Sequence, residues 1–362
     1  MISKFVLGVC SPNPLCATSY YRAWGPLLHM QRTSLNLPAD TLELADLSES
    51  VDWRKLSHLD AILFQRPFGK QSIAQVEAAL GLGVPVWMDW DDNYFDVPKD
   101  NPAYSQYEHD RQSLVTLARH AHAVSVSTEN LKTVLQTATG VEAVVIPNAI
   151  DLAWYGSIRL QESRRQNPDG KTRVLWRGSA SSIENLRYYS KAIIEAAYVY
   201  PDVQWIFQGT EPHFLIKDIP LGQARHIPWS TVPQCFLQTV AVEPDILMVP
   251  TTADSAFNKC RSNTGWMEGV AAGAVVVAPD WRHWRKPGTF SYIPGPPDTS
   301  SFESALMLAI ESSAEKRSCM VEEAREVLAA CYCLADVNRQ RAELLTELSK
   351  RPTCIRVSTL KG

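Results

Sequence analysis

The sequence predicts an α/β protein of two parallel-sheet domains facing a cleft and finished by C-terminal helices, on three observations. Short apolar runs rich in Val and Ile alternate with helical patterns in each half of the chain; a Pro-Asn-Ala-Ile-Asp turn, Pro147 to Asp151, separates the halves; and from Phe302 onward the pattern is helical. Alternation of this kind marks a parallel sheet, because parallel neighbours need a long crossover and a helix usually supplies it. At 362 residues, 45% hydrophobic and 20% charged, the chain is long enough for two buried cores.

In chain order, the first half places strands at residues 5–10, 61–65, 84–89, 123–127 and 143–146. Helical patterns at 72–80, 105–119 and 128–137 carry apolar residues three and four apart. After a polar linker at 163–171 the alternation restarts, with strands at 173–176, 203–207, 245–249 and 274–278 and helices at 183–198, 232–239 and 263–272. The expected organisation is therefore a Rossmann-like domain over 1–150, a second over 151–335, and a C-terminal helix and tail over 336–362. Residues 315–348 read as one long helix, and the end, 351–362, is basic.

A net charge of -4 gives no overall attraction to nucleic acid, although a local basic patch remains open. No apolar run approaches the roughly 18–20 residues that cross a bilayer, and the chain opens directly into a strand pattern without a signal-peptide n-region, so a cytoplasmic protein is expected. The eight cysteines form no Cys-x-x-Cys pair and read as reduced core thiols. Cys331 and Cys333, two apart on a helix, point about 200° from each other and cannot readily share a metal. No metal site is expected.

Ligands of open parallel sheets bind beyond the carboxyl ends of the strands, so chemistry belongs in the loops that follow them. The segment Phe257-Asn258-Lys259-Cys260-Arg261-Ser262-Asn263-Thr264-Gly265 leads into a helix that carries Glu268. Ser262 is placed to cap that helix, and Asn263, Thr264 and Gly265 would offer free backbone N–H groups in its first turn. Such a start attracts an anion, and Lys259 and Arg261 add positive charge, so a diphosphate fits. Glu268, a turn and a half on, suits the two hydroxyls of an attached ribose. A plain capped amphipathic helix with surface charges is the other reading.

A second strand runs into Arg177-Gly178-Ser179, where Ser181 and Glu184 form a Ser-x-x-Glu capping box; it reads equally as a phosphate-facing loop or a simple turn. In the first half a strand ends in Asp89-Trp90-Asp91-Asp92-Asn93-Tyr94-Phe95-Asp96. Crowded carboxylates raise one another's pKa, and one of Asp91, Asp89 and Asp92 is expected to be a general base, Asp91 first because it lies just beyond the strand. An Asp-x-Asp metal motif and a solvated cluster remain open. Arg22 either approaches the diphosphate from this wall or pairs with those aspartates. Last, Trp281, Arg282, His283, Trp284, Arg285 and Lys286 interleave aromatics with cations, a composition suited to stacking on bases and holding phosphates, or to a loop anchored by two core tryptophans.

Taken together these segments resemble the glycosyltransferases of the GT-B architecture, and in particular the group-1 family with its Glu-x7-Glu element. The second Glu of that element matches Glu268 and the first matches Cys260, so its role falls to Asn258, Lys259 or Arg261. The loop at Arg177, Gly178 and Ser179 resembles the family's phosphate-facing loop, with Arg177 in place of its missing cations. Pro147 to Asp151 resembles the interdomain Pro-Asn-Gly-Val-Asp element. Gln208-Gly209-Thr210 and 225–229 match segments that contact the nucleoside, with Pro228 and Trp229 placed to flank the base. Tyr21-Arg22 followed by Pro26 resembles a divergent branch common in phage and bacterial genomes, and the family's glycine pair after the first strand is absent.

The resemblance implies transfer of a sugar from a UDP- or GDP-sugar co-substrate to an acceptor hydroxyl, with no tightly bound cofactor and the acceptor on the first domain. The phage-like branch and the Trp281 to Lys286 loop imply a hydroxymethylated pyrimidine in DNA as acceptor; a saccharide or lipid hydroxyl competes. A nucleotide-sugar 2-epimerase and an inactive nucleotide-binding relative share the two-domain expectation.

Overall fold

The computed structural model describes residues 3–11, 16–33, 37–48, 56, 58–159, 169–252, 256–294 and 299–351. The basic tail beyond Arg351 and most of the 163–171 linker lie outside them. Two sheets of six parallel strands make the frame. The first, in the order β2-β1-β3-β4-β5-β6, is built from β1 (Lys4–Cys10), β2 (Thr41–Asp46), β3 (Ala61–Gln65), β4 (Val86–Trp90), β5 (Ala123–Val126) and β6 (Val144–Val145). The second, in the order β12-β11-β10-β7-β8-β9, is built from β7 (Thr172–Gly178), β8 (Val203–Gly209), β9 (Ala224–Pro228), β10 (Ile246–Met248), β11 (Val275–Pro279) and β12 (Thr289–Tyr292).

Every residue of β3, β4, β10 and β11 is buried, as expected of central strands with helices on both faces. The expected strands are all present. Three more, β2, β9 and β12, were not expected; each lies at a sheet edge or its flank and is partly exposed. The strand order reverses between β1 and β3 in the first sheet and between β7 and β10 in the second, and a crevice opens at the carboxyl ends of such points.

Two helices expected as continuous are broken. Residues 183–198 divide at Tyr189 (φ -98°, ψ 9°), whose buried hydroxyl donates to the Thr251 carbonyl at 3.1 Å. Residues 315–348 divide at Cys333, whose extended backbone (φ -67°, ψ 125°) turns the chain back to the first sheet. There Leu334, Val337, Ala342, Leu345 and Leu348 are buried with Phe5, Leu7, Leu63 and Trp87. The C-terminal helix Leu334–Ser349 thus completes the core of the first half. The chain crosses between halves twice, and the crossings pair: Ile150 N–H donates to the Tyr332 carbonyl at 3.1 Å, and Leu334 N–H to the Ile150 carbonyl at 2.9 Å. The seven described cysteines are free, but Cys319 and Cys331 are exposed rather than core thiols, because both face outward on the Ala314–Tyr332 helix. Among the described residues no helix is long and apolar enough to cross a membrane.

Candidate active site in the interdomain cleft

The second-domain wall is the start of the Thr264–Ala272 helix. Its close seat on β10 and β11 depends on two glycines: a Cβ on Gly265 would lie 3.0 Å from Val249, and one on Gly269 would lie 2.9 Å from Val276. Asn263, not Ser262, stands at the cap position, and it makes no side-chain cap bond. Among the described residues the N–H groups of Thr264 and Gly265 donate to no acceptor, so the helix start keeps two free donors and its positive dipole end. The Ser262 hydroxyl is instead 2.8 Å from that of Thr264, and both accept from the Asn148 amide, at 2.7 and 3.1 Å. Arg261 is half-buried and reaches the Ser182 hydroxyl at 3.4 Å, while Lys259 is exposed. Asn258 is buried and donates to Asn185 at 3.0 Å, which ties down the preceding turn.

Glu268 is buried one and a half turns along this helix. Arg177, at the end of β7, pairs with it at 2.5 Å, and the Tyr21 hydroxyl donates to its other oxygen. Tyr155 completes the group, 3.1 Å from the Tyr21 hydroxyl. Burial, reinforced by Glu268, pushes the Tyr21 phenol well above its usual range, so it stays a donor. Beyond Arg177, Gly178 is buried and Ser179 is exposed. The Ser181 capping box does not form: Glu184 pairs with Arg187 at 3.1 Å, and a short turn Ala180–Ser182 precedes the helix. Next to this wall Gln208 is buried in bonds to Cys235 and Thr239, but Trp229 is 45% exposed beside Gly209, an aromatic surface rather than a core residue.

On the first-domain wall the three aspartates separate. Asp89 is 1% exposed and forms a two-point ion pair with Arg22, also 1% exposed: Nε to Oδ1 at 2.9 Å and Nη2 to Oδ2 at 2.6 Å. Arg22 also donates to the Ile146 carbonyl at 2.6 Å and to Asn148 Oδ1 at 3.0 Å. This withdraws Asp89 from the expected base role and, of the two alternatives for Arg22, bears out the pairing with the aspartates rather than contact with a diphosphate. Both are sealed in the core. Asp91 is half-buried and accepts from the Tyr94 hydroxyl. Asp92 is half-buried; burial first, and Asp91 second, raise its carboxyl from 3.8 to about 7, against the pull of Arg261 and Arg66. Arg261 belongs to the second domain, so the two walls meet at this carboxylate.

Arg66 carries no mark in the sequence. It follows β3 at the switch point with φ of 53°, a left-handed conformation uncommon for a long side chain and often found where function demands it. Burial opposes its charge, but Tyr94, Asp91, Tyr107 and Asp92 around it more than compensate. Among the described residues its guanidinium makes no ion pair within 4.0 Å. Asn148, Tyr21 and Tyr155 were also not expected at the site; they face it only because the hinge and the first helix pass beside it.

The segment before the Thr264 helix belongs physically to both halves. Phe257 and Cys260 are buried in the first-domain core, and Thr128 and Asn130 side chains donate to the carbonyls of Cys260 (2.9 Å) and Lys259 (2.7 Å). Burial, with Asp92 and Asp96 near, raises the Cys260 thiol to about 12. The Cys260 position is therefore an apolar plug. His283 donates to the Arg261 carbonyl at 2.8 Å and so braces this segment, and burial lowers its pKa. In the same loop Trp284 is buried, Trp281 is half-buried against the second core, Arg282 and Arg285 are exposed, and Arg285 pairs with Asp280 at 2.6 Å. Of the two tryptophans expected to stack, Trp284 is withdrawn into the core while Trp281 keeps part of its surface exposed.

No family model matches the sequence, and no curated protein matches it either. Solved structures do. Anabaena HepE in complex with UDP and glucose matches with a TM-score of 0.64 at 16% identity, over 95% of this chain and 100% of that one. An α,α-trehalose-phosphate synthase (UDP-forming) from Burkholderia vietnamiensis matches with a TM-score of 0.65 at 11% identity, over 97% and 98%. UDP-GlcNAc 2-epimerase from Neisseria meningitidis, bound to UDP-GlcNAc, matches with a TM-score of 0.55 at 13% identity, over 95% and 100%. Two six-stranded parallel sheets with flanking helices, superposable on these structures over nearly their whole length, establish that this chain has the GT-B fold.

Proposed function

We propose that the protein transfers a sugar from a nucleotide-sugar, a UDP-sugar as first choice, to an acceptor hydroxyl. The observation that carries this is the juxtaposition of the open Thr264 helix start, flanked by Arg261, with the Asp92 carboxylate of the opposite wall. A leaving diphosphate at the helix start would be stabilised by free N–H groups, the dipole and Arg261, with Lys259 near. Glu268, set by Arg177 and Tyr21, receives the ribose hydroxyls, and Trp229 provides a face for the base. Asp92, rather than Asp91, is the proposed base: Asp91 is engaged by Tyr94, whereas a carboxyl held near neutrality both takes a proton at physiological pH and retains the strength to do so. The UDP preference rests on the UDP and UDP-sugars named in the matching structures.

The test is incubation of the full chain with UDP-, GDP- and ADP-sugars and an acceptor panel of saccharides, lipids and hydroxymethylpyrimidine DNA, read by mass spectrometry. Donor-dependent glycosylation of any acceptor supports the reading; isomerisation of a UDP-sugar without acceptor would replace it by 2-epimerisation, which the Neisseria structure keeps in view. DNA enters as one arm of that panel, supported by the exposed cations Arg282 and Arg285.

A further inference from the structure

We infer that Asn148, buried at the first crossing between the halves, is a positioning residue that turns a hydroxyl proton of the Ser262–Thr264 pair outward to the donor's diphosphate. The inference rests on the donor reading above and adds to it a device for fixing hydrogen-bond direction.

The number of protons available fixes the direction of each bond. The Asp89 carboxylate accepts from Arg22 at both oxygens, and a guanidinium has only donors, so the amide atom of Asn148 that faces Arg22 Nη1 at 3.0 Å must be its oxygen. The amide nitrogen then faces the second domain. Its two N–H groups enter the oxygens of Ser262 and Thr264, at 2.7 and 3.1 Å. Each hydroxyl has one proton of its own, and the 2.8 Å contact between them uses one of the two. The other finds no acceptor inward, because the inward side is occupied by donating N–H groups. Both residues are half-buried at the mouth of the cleft, so that proton points out beside the free N–H groups of Thr264 and Gly265. A buried carboxylate in one domain thus sets, through Arg22 and Asn148, the polarity of the anion site in the other.

Replacing Asn148 by Asp reverses the chain. The carboxylate still accepts from Arg22, but it now demands protons from Ser262 and Thr264 and turns them inward. Added negative charge alone would also weaken an anion, and a thermodynamic cycle separates the two effects. Four full-length proteins are compared by calorimetry with UDP and with uridine: the unaltered chain, Asn148→Asp, Ser262→Ala/Thr264→Val, and the triple variant. Removal of the hydroxyls is expected to lower UDP affinity by about tenfold in the unaltered background and by less than about twofold in Asn148→Asp, with uridine affinity unmoved. Equal hydroxyl losses in both backgrounds, or parallel losses for UDP and uridine, overturn the inference while leaving the donor reading in place. Failure of the unaltered chain to bind UDP, GDP or ADP removes the donor reading and this inference with it. Should Asn148→Asp not fold, as judged by thermal melting, Asn148→Ala carries the cycle with a smaller expected change, since it withdraws the two N–H groups without supplying an inward acceptor; hydroxyl losses equal to those in the unaltered background again overturn the inference.

Discussion

Among single residues, burial sorts three neighbouring aspartates into different fates, and each fate has a measurable consequence. Asp89→Asn breaks a sealed ion pair and leaves Arg22 with an uncompensated charge, so it is expected to destabilise the fold by about 3–5 kcal/mol in urea titrations, with loss of activity following loss of structure. Asp92→Asn should do the opposite: transfer falls at least about a hundredfold while the fold survives. Its pH dependence has a definite sign. Because burial raises this carboxyl from 3.8 to about 7, the folded state binds more protons than the unfolded one in that interval, and the group's contribution to stability is present at low pH and lost as pH rises through about 7. Activity runs the other way, rising through about pH 7 as the base ionises. At pH 8 the Asn variant is therefore expected to be at least as stable as the parent, and melting curves at pH 5 and 8 check it. Glu268→Gln should weaken UDP binding by about ten- to a hundredfold and lower the melting temperature as well, because the ribose loses a charge-assisted bond and buried Arg177 loses its carboxylate partner, with an amide N–H₂ facing it if Tyr21 keeps the oxygen. The sequence displayed the segments that hold these groups, since clustered carboxylates and a Ser-Asn-Thr-Gly helix start are visible as letters. Which aspartate is free was not visible, because it depends on Arg22 arriving from a helix some sixty-seven residues away. Arg66 was equally hidden, as nothing in Gln-Arg-Pro announces a positive φ.

For whole elements, legibility followed burial. Central strands buried on both faces appear as apolar runs and were read directly, whereas the edge strands β2, β9 and β12 mix polar with apolar residues, so their hydrophobic signal is thin. The two broken helices contain no Gly or Pro at Tyr189 or Cys333; tertiary contacts end them, and no local propensity records that. The helix that begins at Thr264 shows the reverse case, in which a local residue type sets a long-range distance. Gly269 lets it approach β10 and β11, with the Leu247 and Val276 side chains against its backbone. Gly269→Leu is expected to overpack this contact, lower stability by about 1–3 kcal/mol and displace the anion-binding start, so that UDP affinity and melting temperature fall together.

In the molecule as a whole, the C-terminal helix Leu334–Ser349 is far from its core partners in sequence and close in space. That arrangement has a consequence in time. On a ribosome the first sheet is complete early, but the apolar surface that includes Leu7, Leu63 and Trp87 waits for the last helix, which at about 5–20 residues per second means tens of seconds of exposure. The second half folds on its own sheet meanwhile, and the paired crossings at Ile150 and Leu334 can form only after it has done so. The N-terminal half is thus made first and finished last. A stalled nascent chain ending before Leu334 should remain protease-sensitive in its first half and bind a chaperone such as trigger factor, and supplying residues 334–349 by completing the chain should protect both halves at once.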